Sequence, residues 1–302
     1  MKLVAFLNLI RWKNLLLILY VLVLFKFIVF RSFEIETNLS LIQFTTLLLS
    51  ILSITAAGYI INDIYDLKID LINKPKKVIV SKHFSIQKSQ QFYLWLNSIG
   101  IILGIALCLH LELPSYSFIF IGTSLLLYYY SKKFKSKPLI GNIIVAFLTA
   151  FSIGIIYFFE INLTIHNLQQ QLITQVILLV STIAFFLNLS RELVKDIIDI
   201  KGDNNLNMNT LPILIGVDRT SKIAIIITLI PFIILLFIIL NYAPIYRLTM
   251  LYLVVFVCVP LLYISVKLFS TKSKTVYKKI SLYLKLIMFL GINSLIIFSI
   301  NT

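Results

Sequence analysis

The chain has 302 residues, 60% of them hydrophobic, and a mean hydropathy of +0.99. This lies well outside the range of soluble domains, which are roughly half apolar, so the composition excludes a water-soluble fold. A formal net charge of +15 could suggest a nucleic-acid partner. However, the basic residues stand in short segments beside long apolar runs, where they fix orientation and attract anionic lipid. We therefore expect membrane lipid, and no nucleic acid, as a partner.

Nine apolar runs, most of them close to the about 20 residues that a membrane-crossing helix needs, follow one another along the chain. In order they are Leu15 to Phe30, Leu39 to Ile61, Gln91 to Leu111, Ser115 to Tyr130, Leu139 to Phe159, Leu172 to Leu189, Ile223 to Leu240, Met250 to Leu268 and Ile280 to Ile300. They are continuously apolar rather than alternating, which predicts helices instead of barrel strands. The predicted fold is an all-α membrane protein with nine transmembrane helices in a single domain over residues 1–302.

The basic residues predict the orientation of these helices. If the amino terminus is cytoplasmic, the inner segments are 1–14, 62–90, 131–138, 190–222 and 267–279, and they carry 23 of the 27 Lys and Arg residues. The outer loops keep Lys26, Arg31 and Arg247. By the positive-inside rule, we expect the amino terminus in the cytoplasm and the carboxyl terminus outside.

Seven of the twelve acidic residues form two clusters inside this frame. The first cluster is Asp63, Asp66 and Asp70 in NDIYDLKID, and the second is Glu192, Asp196, Asp199 and Asp203 in RELVKDIIDIKGD. Four other acids, Glu34, Glu36, Glu112 and Glu160, fall at or near the outer face and are interpreted as solvated surface residues. The clusters therefore stand at the predicted cytoplasmic ends of helices two and six.

Steps of three and four residues separate the acids within each cluster, so a helix continued past Ile61, and another past Leu189, would place each set on one stripe. Carboxylates aligned in this way repel one another, and a divalent cation would relieve the repulsion. Oxygen-only ligands favour a hard ion, and Mg²⁺ shares its coordination with substrate phosphate. We expect the clusters to hold a diphosphate through magnesium, although either cluster alone is also typical of a solvated helix end.

Basic side chains accompany both clusters and could contact phosphate oxygens directly. They are Arg191 and Lys195 beside the second cluster, and Lys74, Lys76 and Lys77 after the first.

The two motifs resemble those of the UbiA prenyltransferase superfamily. NDIYDLKID matches its first motif, N-D-x-x-D-x-x-x-D, and DIIDIKGD matches its second, D-x-x-D-x-x-x-D. The nine runs and the position of the motifs after helices two and six resemble that superfamily over essentially the whole chain. RELVKDIIDIKGD, followed by TLPILIG, is most similar to the digeranylgeranylglyceryl phosphate synthase branch, as is KPLIGNIIVAFLTAF.

This resemblance implies an intramembrane prenyltransferase fold of the UbiA type, in a bacterial or archaeal cell membrane, with the active-site loops in the cytoplasm. The reaction would be magnesium-dependent transfer of a prenyl group from a polyprenyl diphosphate donor to a lipophilic acceptor. In the branch, that acceptor is the hydroxyl of a prenylated glycerol phosphate. Tyr59, Tyr65 and Tyr128 to Tyr130 are candidates for cation–π support of an allylic cation.

The resemblance also implies residue roles. Asp63, Asp66 and Asp70, with Asn62, would hold one magnesium, and Asp196, Asp199 and Asp203 the other, as the catalytic set. Arg191, Lys195 and Lys77 would bind substrate phosphate. RWKN, residues 11–14, resembles the R-P-x-N segment of the superfamily, so Asn14 is expected at the site.

Two positions near these motifs have less settled roles. Arg11 is either a site residue or a charge that sets topology. At Asn207 the chain departs from the usual glycine, and we expect asparagine to keep the left-handed backbone there.

Three other functions remain open. The acceptor could be an aromatic quinone precursor such as 4-hydroxybenzoate or dihydroxynaphthoate. A cation-coupled transporter would also carry intramembrane acids, although transporters usually place them near the midplane on broken helices. A non-catalytic membrane scaffold is the third alternative, and it predicts that neutralising the clusters would not change function.

Overall fold

The structure, a computed structural model, describes residues 2–161, 167–271 and 273–301. We group the helical segments within these ranges into twelve helices: α1 (Lys2–Leu9), α2 (Trp12–Ser32), α3 (Leu41–Tyr65), α4 (Leu67–Asn73), α5 (Ile86–His110), α6 (Ser117–Lys132), α7 (Ile140–Glu160), α8 (Leu168–Asn205), α9 (Leu211–Ile215), α10 (Val217–Tyr242), α11 (Arg247–Ser270) and α12 (Lys274–Asn301). Short 3₁₀ turns occur at Pro75–Lys77, Pro114–Tyr116 and Phe134–Ser136. The predicted all-α class is confirmed.

Eight of the helices in the described ranges are long and apolar enough to cross a membrane. The remaining predicted span, Ser115 to Tyr130, corresponds to α6, which has 16 residues. At 1.5 Å per residue, α6 is about 24 Å long, less than the about 30 Å of the hydrocarbon core. The prediction of nine crossing helices is therefore confirmed for eight. A 3₁₀ turn at Pro114–Tyr116 moves the start of α6 from Ser115 to Ser117, and the helix keeps the 16 residues of the predicted span.

Helix α3 begins at a reciprocal capping arrangement and carries the first acidic cluster to its end. Ser40 Oγ accepts a hydrogen bond from the Gln43 N–H, and the Ser40 N–H donates to Gln43 Oε1 at 2.8 Å. The helix breaks briefly at Asp66, yet the backbone N–H groups of Asp66 and Asp70 still donate to carbonyls four residues earlier, each at 2.8 Å. The predicted continuation past Ile61 is therefore confirmed.

Helix α8 carries the second cluster. It has 38 residues and is therefore about 57 Å long, far more than the about 20 residues that a crossing requires. The predicted sixth helix thus runs on through Arg191 and Asp203 to Asn205. Asn207 follows it with φ of 52°, so the expectation of left-handed backbone at this asparagine is confirmed.

The chain groups into two compact units. The first unit contains residues up to Leu22, Leu39–Lys137 and Lys201–Asn207. The second contains Val23–Asn38, Pro138–Ile200 and the residues from Met208 onward. The first acidic cluster and Asp203 lie in the first unit, whereas Asp196 and Asp199 lie in the second. The prediction of a single domain stays a prediction.

Close approach of helices in the first unit depends on two glycines of α5. A Cβ added to Gly100 would lie 2.6 Å from Ile54 Cγ1 of α3, and Ser50 Oγ donates to the Gly100 carbonyl at 2.6 Å. A Cβ added to Gly104 would lie 2.4 Å from the Phe120 ring of α6. The G-x-x-x-G spacing is thus a packing device that brings α5 against both neighbours.

A buried ion pair in the second unit corrects two predictions. Lys26 lies inside α2, in a π turn at Phe25–Val29, and its Nζ is 2.7 Å from Glu160 Oε1 at the end of α7. Glu160 is fully buried, so it is not a solvated surface residue, and Lys26 is not in an outer loop. Each charge can be buried because the other compensates it. The sequence did not reveal this pair because Lys26 and Glu160 are 134 residues apart in the chain.

Breaking this pair should destabilise the protein strongly. For Glu160→Gln we expect a loss of about 3–5 kcal/mol in the free energy of unfolding, because a buried Lys26 charge loses its compensation. The double variant Lys26→Met/Glu160→Leu should recover most of that loss. Glu36→Gln, at an exposed glutamate, is the matched control. Unfolding in lipid-detergent mixtures measures all three, and a Glu160→Gln variant as stable as Glu36→Gln would contradict the pairing.

Candidate functional site

In the first cluster, basic and amide side chains hold the carboxylates of Asp63 and Asp66. Arg11 Nη2 donates to Asp63 Oδ1 at 2.7 Å. Asp66, which is 5% exposed, accepts from Lys135 Nζ in a short ion pair and from Asn62 Nδ2 at 2.7 Å. All five residues belong to the first unit. The repulsion expected between the carboxylates is therefore relieved, in this structure, by cations that the chain itself supplies.

Arg11 reaches Asp63 from the junction between α1 and α2. Its backbone is left-handed, with φ of 52°, a conformation that costs a non-glycine residue about 1–2 kcal/mol and that recurs at functional sites. Its guanidinium lies 4.8 Å from the centroid of the Tyr59 ring, and Asn14 Nδ2 donates to the Tyr59 hydroxyl at 3.3 Å. Arg11 and Asn14 therefore both stand next to the first cluster.

Arg11 stays charged despite its environment. Burial lowers the pKa of its guanidinium, but the negative charge of Asp63 and its hydrogen bond raise it by more, so the net pKa is raised. Its charge is thus available to a carboxylate or to a phosphate.

Lys135 was missed by the sequence analysis, which treated the basic residues of segment 131–138 only as topology signals. It lies in the 3₁₀ turn Phe134–Ser136 after α6. Burial lowers the pKa of its ammonium, but the Asp66 charge outweighs this and the net pKa is raised. Nothing in the sequence separates Lys135 from Lys132 or Lys133, because only the folded chain brings it to Asp66.

Asp70, in α4, is a carboxylate whose charged form is disfavoured. Burial raises the pKa of Asp70, the positive charge of Lys74 opposes that shift, and Asp66 adds to it. A further oxygen of this motif, Asn62 Oδ1, is buried and accepts no hydrogen bond. A positive charge beside either group would be stabilised.

The donor set of the first cluster fits a hard cation such as Mg²⁺. It consists of carboxylate oxygens and the amide oxygen of Asn62, the ligand type that Mg²⁺ prefers. Within the described ranges, no three His, Cys, Asp or Glu side chains already converge as metal ligands. A bound ion would therefore replace Arg11 and Lys135 at Asp63 and Asp66.

The part of the second cluster that lies in the second unit, from Glu192 to Asp199 on α8, shows a similar pattern. Asn142 of α7, which the sequence analysis also missed, donates from Nδ2 to Asp196 Oδ2 at 2.8 Å. Lys195 Nζ contacts both carboxylate oxygens of Glu192, at 2.7 and 2.8 Å, and Arg191 Nη1 donates to the same carboxylate at 3.2 Å. The two predicted phosphate-binding cations are thus brought together by Glu192.

Asp203 belongs to the first unit, together with the end of α4. The Gly202 N–H donates to Asn73 Oδ1 at 3.1 Å, and Asn73 is the last residue of α4. A Cβ added to Gly202 would lie 2.3 Å from Asn73 Nδ2. The last turn of α8 therefore lies against the last turn of α4, three residues after Asp70.

Of the remaining predicted phosphate contacts, Lys77 is exposed in the 3₁₀ turn Pro75–Lys77. It makes no ion pair with the aspartates in the described part of the chain.

Among the tyrosines, Tyr65 and Tyr128 approach each other, with hydroxyl oxygens 3.5 Å apart and ring centroids 6.3 Å apart.

Comparison with known proteins gives a family match over most of the chain. The model of the UbiA prenyltransferase family matches residues 23–291. The chain is 37% identical over 183 residues to a digeranylgeranylglyceryl phosphate synthase of Sulfurisphaera tokodaii, covering 59% of this chain and 60% of that protein. It is 30% identical over 234 residues to one of Methanosphaera stadtmanae, covering 77% and 79%. The chain thus spans about 60% of the length of the first relatives it matches, and the predicted resemblance is confirmed.

Solved structures share the fold over nearly the whole chain. A structure of digeranylgeranylglyceryl phosphate synthase in membranes has a TM-score of 0.66 and 23% identity, covering 100% of this chain and 99% of that one. A UbiA homolog from Archaeoglobus fulgidus, bound to DMAPP and Mg²⁺, has a TM-score of 0.59 and 16% identity, covering 96% and 98%. Together with the eight candidate spans, this similarity identifies an integral membrane protein of the UbiA fold.

The Gly202–Asn73 contact predicts a specific sensitivity to side-chain size. Gly202→Ala should lower the melting temperature and weaken Mg²⁺-dependent stabilisation, because Asn73 must leave its place against Gly202, the residue before Asp203. Gly122→Ala is the matched control, since an added Cβ at Gly122 meets nothing within 4 Å and alanine stabilises a helix interior by about 0.5–1 kcal/mol. Thermal melts with and without Mg²⁺ measure both, and equal behaviour of the two variants would contradict the contact.

Proposed function

Because the chain belongs to the UbiA prenyltransferase family, we propose that it transfers a prenyl group from a polyprenyl diphosphate to a lipophilic acceptor with the help of Mg²⁺. The observation that carries this proposal is the pairing of the Asp63 and Asp66 carboxylates with basic side chains. Each is held by a cationic side chain, Arg11 or Lys135, that can exchange its carboxylate partner for a phosphate oxygen. Such an exchange suits a site that binds a metal and a diphosphate together.

The proposed magnesium ligands are the aspartates of both motifs. Asn62, Asp63, Asp66 and Asp70 would hold one ion, and Asp196, Asp199 and Asp203 the other. Magnesium held there would neutralise diphosphate charge and so favour departure of the leaving group.

The basic residues of the chain take over the remaining phosphate oxygens. Arg11 and Lys135, once displaced from Asp63 and Asp66, donate to the diphosphate, and Arg191 and Lys195 donate beside the second motif. Lys77, exposed next to α4, is the proposed contact at the rim. These cations also prevent the acidic clusters from repelling an anionic substrate.

The reaction breaks the bond between the allylic carbon and the diphosphate oxygen, and the electron pair leaves with the diphosphate. The apolar helices would keep water away from the allylic cation, and Tyr59, Tyr65 and Tyr128 are the proposed candidates for cation–π support. An acceptor hydroxyl then forms the new carbon–oxygen bond and releases its proton.

The preferred acceptor is the hydroxyl of a prenylated glycerol phosphate, because the relatives above are named digeranylgeranylglyceryl phosphate synthases. An aromatic acid would use the same donor chemistry and is the alternative acceptor. We also propose that the amino terminus and both motifs face the cytoplasm, because the segments expected there hold 23 of the 27 basic residues.

The deciding experiment is turnover by purified protein in lipid. Labelled geranylgeranyl diphosphate is incubated with geranylgeranylglyceryl phosphate, 4-hydroxybenzoate or dihydroxynaphthoate, with and without Mg²⁺. We expect transfer to the glycerol phosphate that stops when the metal is chelated. Transfer only to an aromatic acid would change the acceptor, and absence of diphosphate release with every acceptor would exclude the enzyme and leave a transporter, tested by ion flux, or a scaffold.

Neutralising one aspartate in each motif should abolish this turnover. Asp66→Asn and Asp199→Asn should each lower kcat by about 10²–10³-fold or more, the scale expected when stabilisation of developing charge is lost. Asp218→Asn makes the same chemical change at an exposed aspartate outside both motifs and should keep the activity. If all three variants turned over alike, the aspartate motifs would have no catalytic role.

Lys135 gives a separate prediction. Lys135→Met should raise KM for the diphosphate about tenfold or more, since a hydrogen bond to a charged group is worth about 1.5–3 kcal/mol. It should also increase the thermal stabilisation that Mg²⁺ provides, because Asp66 loses its internal cation. Lys133→Met, at an exposed lysine of the same loop, is the control, and an unchanged Lys135→Met variant would contradict the exchange.

A further inference from the structure

Asn142, near the start of α7, holds a carboxylate of the second motif with a neutral group. Its Nδ2 donates to Asp196 Oδ2 at 2.8 Å, and Asn142 is 7% exposed. In the first motif, by contrast, cationic side chains hold two of the carboxylates, and a metal must displace them. An amide carries no net charge, so Asn142 can keep its hydrogen bond to Asp196 while a divalent ion binds the same carboxylate.

The hydrogen bond also fixes the direction in which Asp196 presents its oxygens. A carboxylate that is held through one oxygen cannot turn freely about its last torsion, so the position of the other oxygen is set as well. Mg²⁺ demands near-ideal octahedral geometry, and the direction of each ligand therefore affects how tightly the ion binds. Groups that hydrogen-bond to a ligating side chain commonly change metal affinity by about 10–100-fold.

An unusual backbone turn places Asn142 in the first turn of α7. Leu139, just before the helix, has φ of 63°, a region that leucine rarely adopts. The Ile140 N–H donates to the Pro138 carbonyl at 2.7 Å, which closes a tight three-residue turn of a rare and strained type. Leu139 also packs against the apolar cluster that α8 shares with α10, α11 and α12. The start of α7 is thus anchored to the core that contains the buried face of α8.

The same local construction occurs at the first motif. Arg11, just before α2, has φ of 52°, as Leu139 does before α7 in the same left-handed region. The third residue of each helix is an asparagine, Asn14 in α2 and Asn142 in α7. Asn14 donates to the hydroxyl of Tyr59 on α3, the helix that carries the first motif. The repetition indicates that these asparagines serve the acidic motifs and not only the packing of one helix pair.

We propose that Asn142 is a positioning residue for the second magnesium, which it serves by orienting the Asp196 carboxylate. It would act through Asp196 and touch neither the ion nor the substrate. The inference rests on the proposed function, in which Asp196 is a magnesium ligand, and it adds to that site a residue of α7 outside both motifs. Asn142 then sets the affinity for the metal and not the rate of the chemical step.

The first test is a titration of purified protein in lipid with Mn²⁺, followed by the electron paramagnetic resonance signal of the free ion. Asn142→Leu removes the amide at similar size, and one of the two expected Mn²⁺ ions should bind about 10–100-fold more weakly. Asn142→Ser is too short to reach Asp196 and should act in the same direction, which keeps the test valid if the leucine variant does not fold. The other Mn²⁺ affinity should not change.

Thr149→Val is the matched control, because it removes another side-chain hydrogen bond between α7 and α8. In that bond Asn188 Nδ2 donates to Thr149 Oγ1 at 2.8 Å. The variant should lose some thermal stability but keep both Mn²⁺ affinities. An Asn142→Leu or Asn142→Ser variant with wild-type affinities, or an equal loss of affinity in Thr149→Val, would overturn the inference.

The second test is the Mg²⁺ dependence of turnover. At limiting Mg²⁺ the Asn142 variants should lose about tenfold or more in rate, and saturating Mg²⁺ should bring the rate back near the wild-type level, because the aspartate ligands are intact. A loss that no Mg²⁺ concentration restores would show structural damage and would contradict the positioning role.

The two tests separate this inference from the proposed function. A wild-type protein that turns over no diphosphate would refute the proposed function, while the Mn²⁺ titration would still decide the role of Asn142. A wild-type protein that binds no Mn²⁺ would overturn the inference. An active wild type whose Asn142 variants bind Mn²⁺ as tightly as it does would refute the inference alone.

Discussion

Carboxylates three and four residues apart on a helix repel one another, and both acidic motifs bring them together at helix ends. The structure relieves this repulsion with side chains from distant parts of the chain. Arg11 and Lys135 hold Asp63 and Asp66, and Asn142 holds Asp196. The left-handed backbone at Arg11 and the 3₁₀ turn at Phe134–Ser136 deliver the two cations. Much of the geometry around the first motif therefore serves to compensate the negative charge that is concentrated there.

The sequence predicted the helical class and the location of the acidic clusters because both depend on local periodicity. The run from Leu39 to Ile61 is predominantly apolar, and steps of three and four mark Asp63, Asp66 and Asp70 as one helix face. Asn207 was predictable for the same reason, since its preference for left-handed backbone is a property of the residue itself. The start of α6 was not predictable, because the 3₁₀ turn at Pro114–Tyr116 includes two residues that composition alone assigns to the span.

The partners of the carboxylates could not be predicted, because they depend on tertiary contacts. Lys135 has the same local surroundings as its neighbouring lysines, and Asn142 and Asn73 are ordinary polar residues until α7 and α4 are folded. Glu160 was misread because hydropathy places it at the end of an apolar run, where a solvated acid is the usual occupant. Only its contact with Lys26, 134 residues away in the chain, shows that it is buried.

The Lys26–Glu160 pair also constrains how the protein is made. Lys26 belongs to the first long apolar helix, which reaches the membrane while the ribosome is still far from Glu160. At about 5–20 residues per second, the intervening chain takes roughly ten seconds to synthesise. During that interval α2 carries a lysine whose insertion costs about 2.5–3.5 kcal/mol on translocon scales. Stable membrane insertion of the first long helix therefore depends on synthesis of the fifth long apolar run, which ends at Glu160. Nascent chains that stop before Glu160 would keep an unpaired lysine in the membrane and would be recognised by protein quality control.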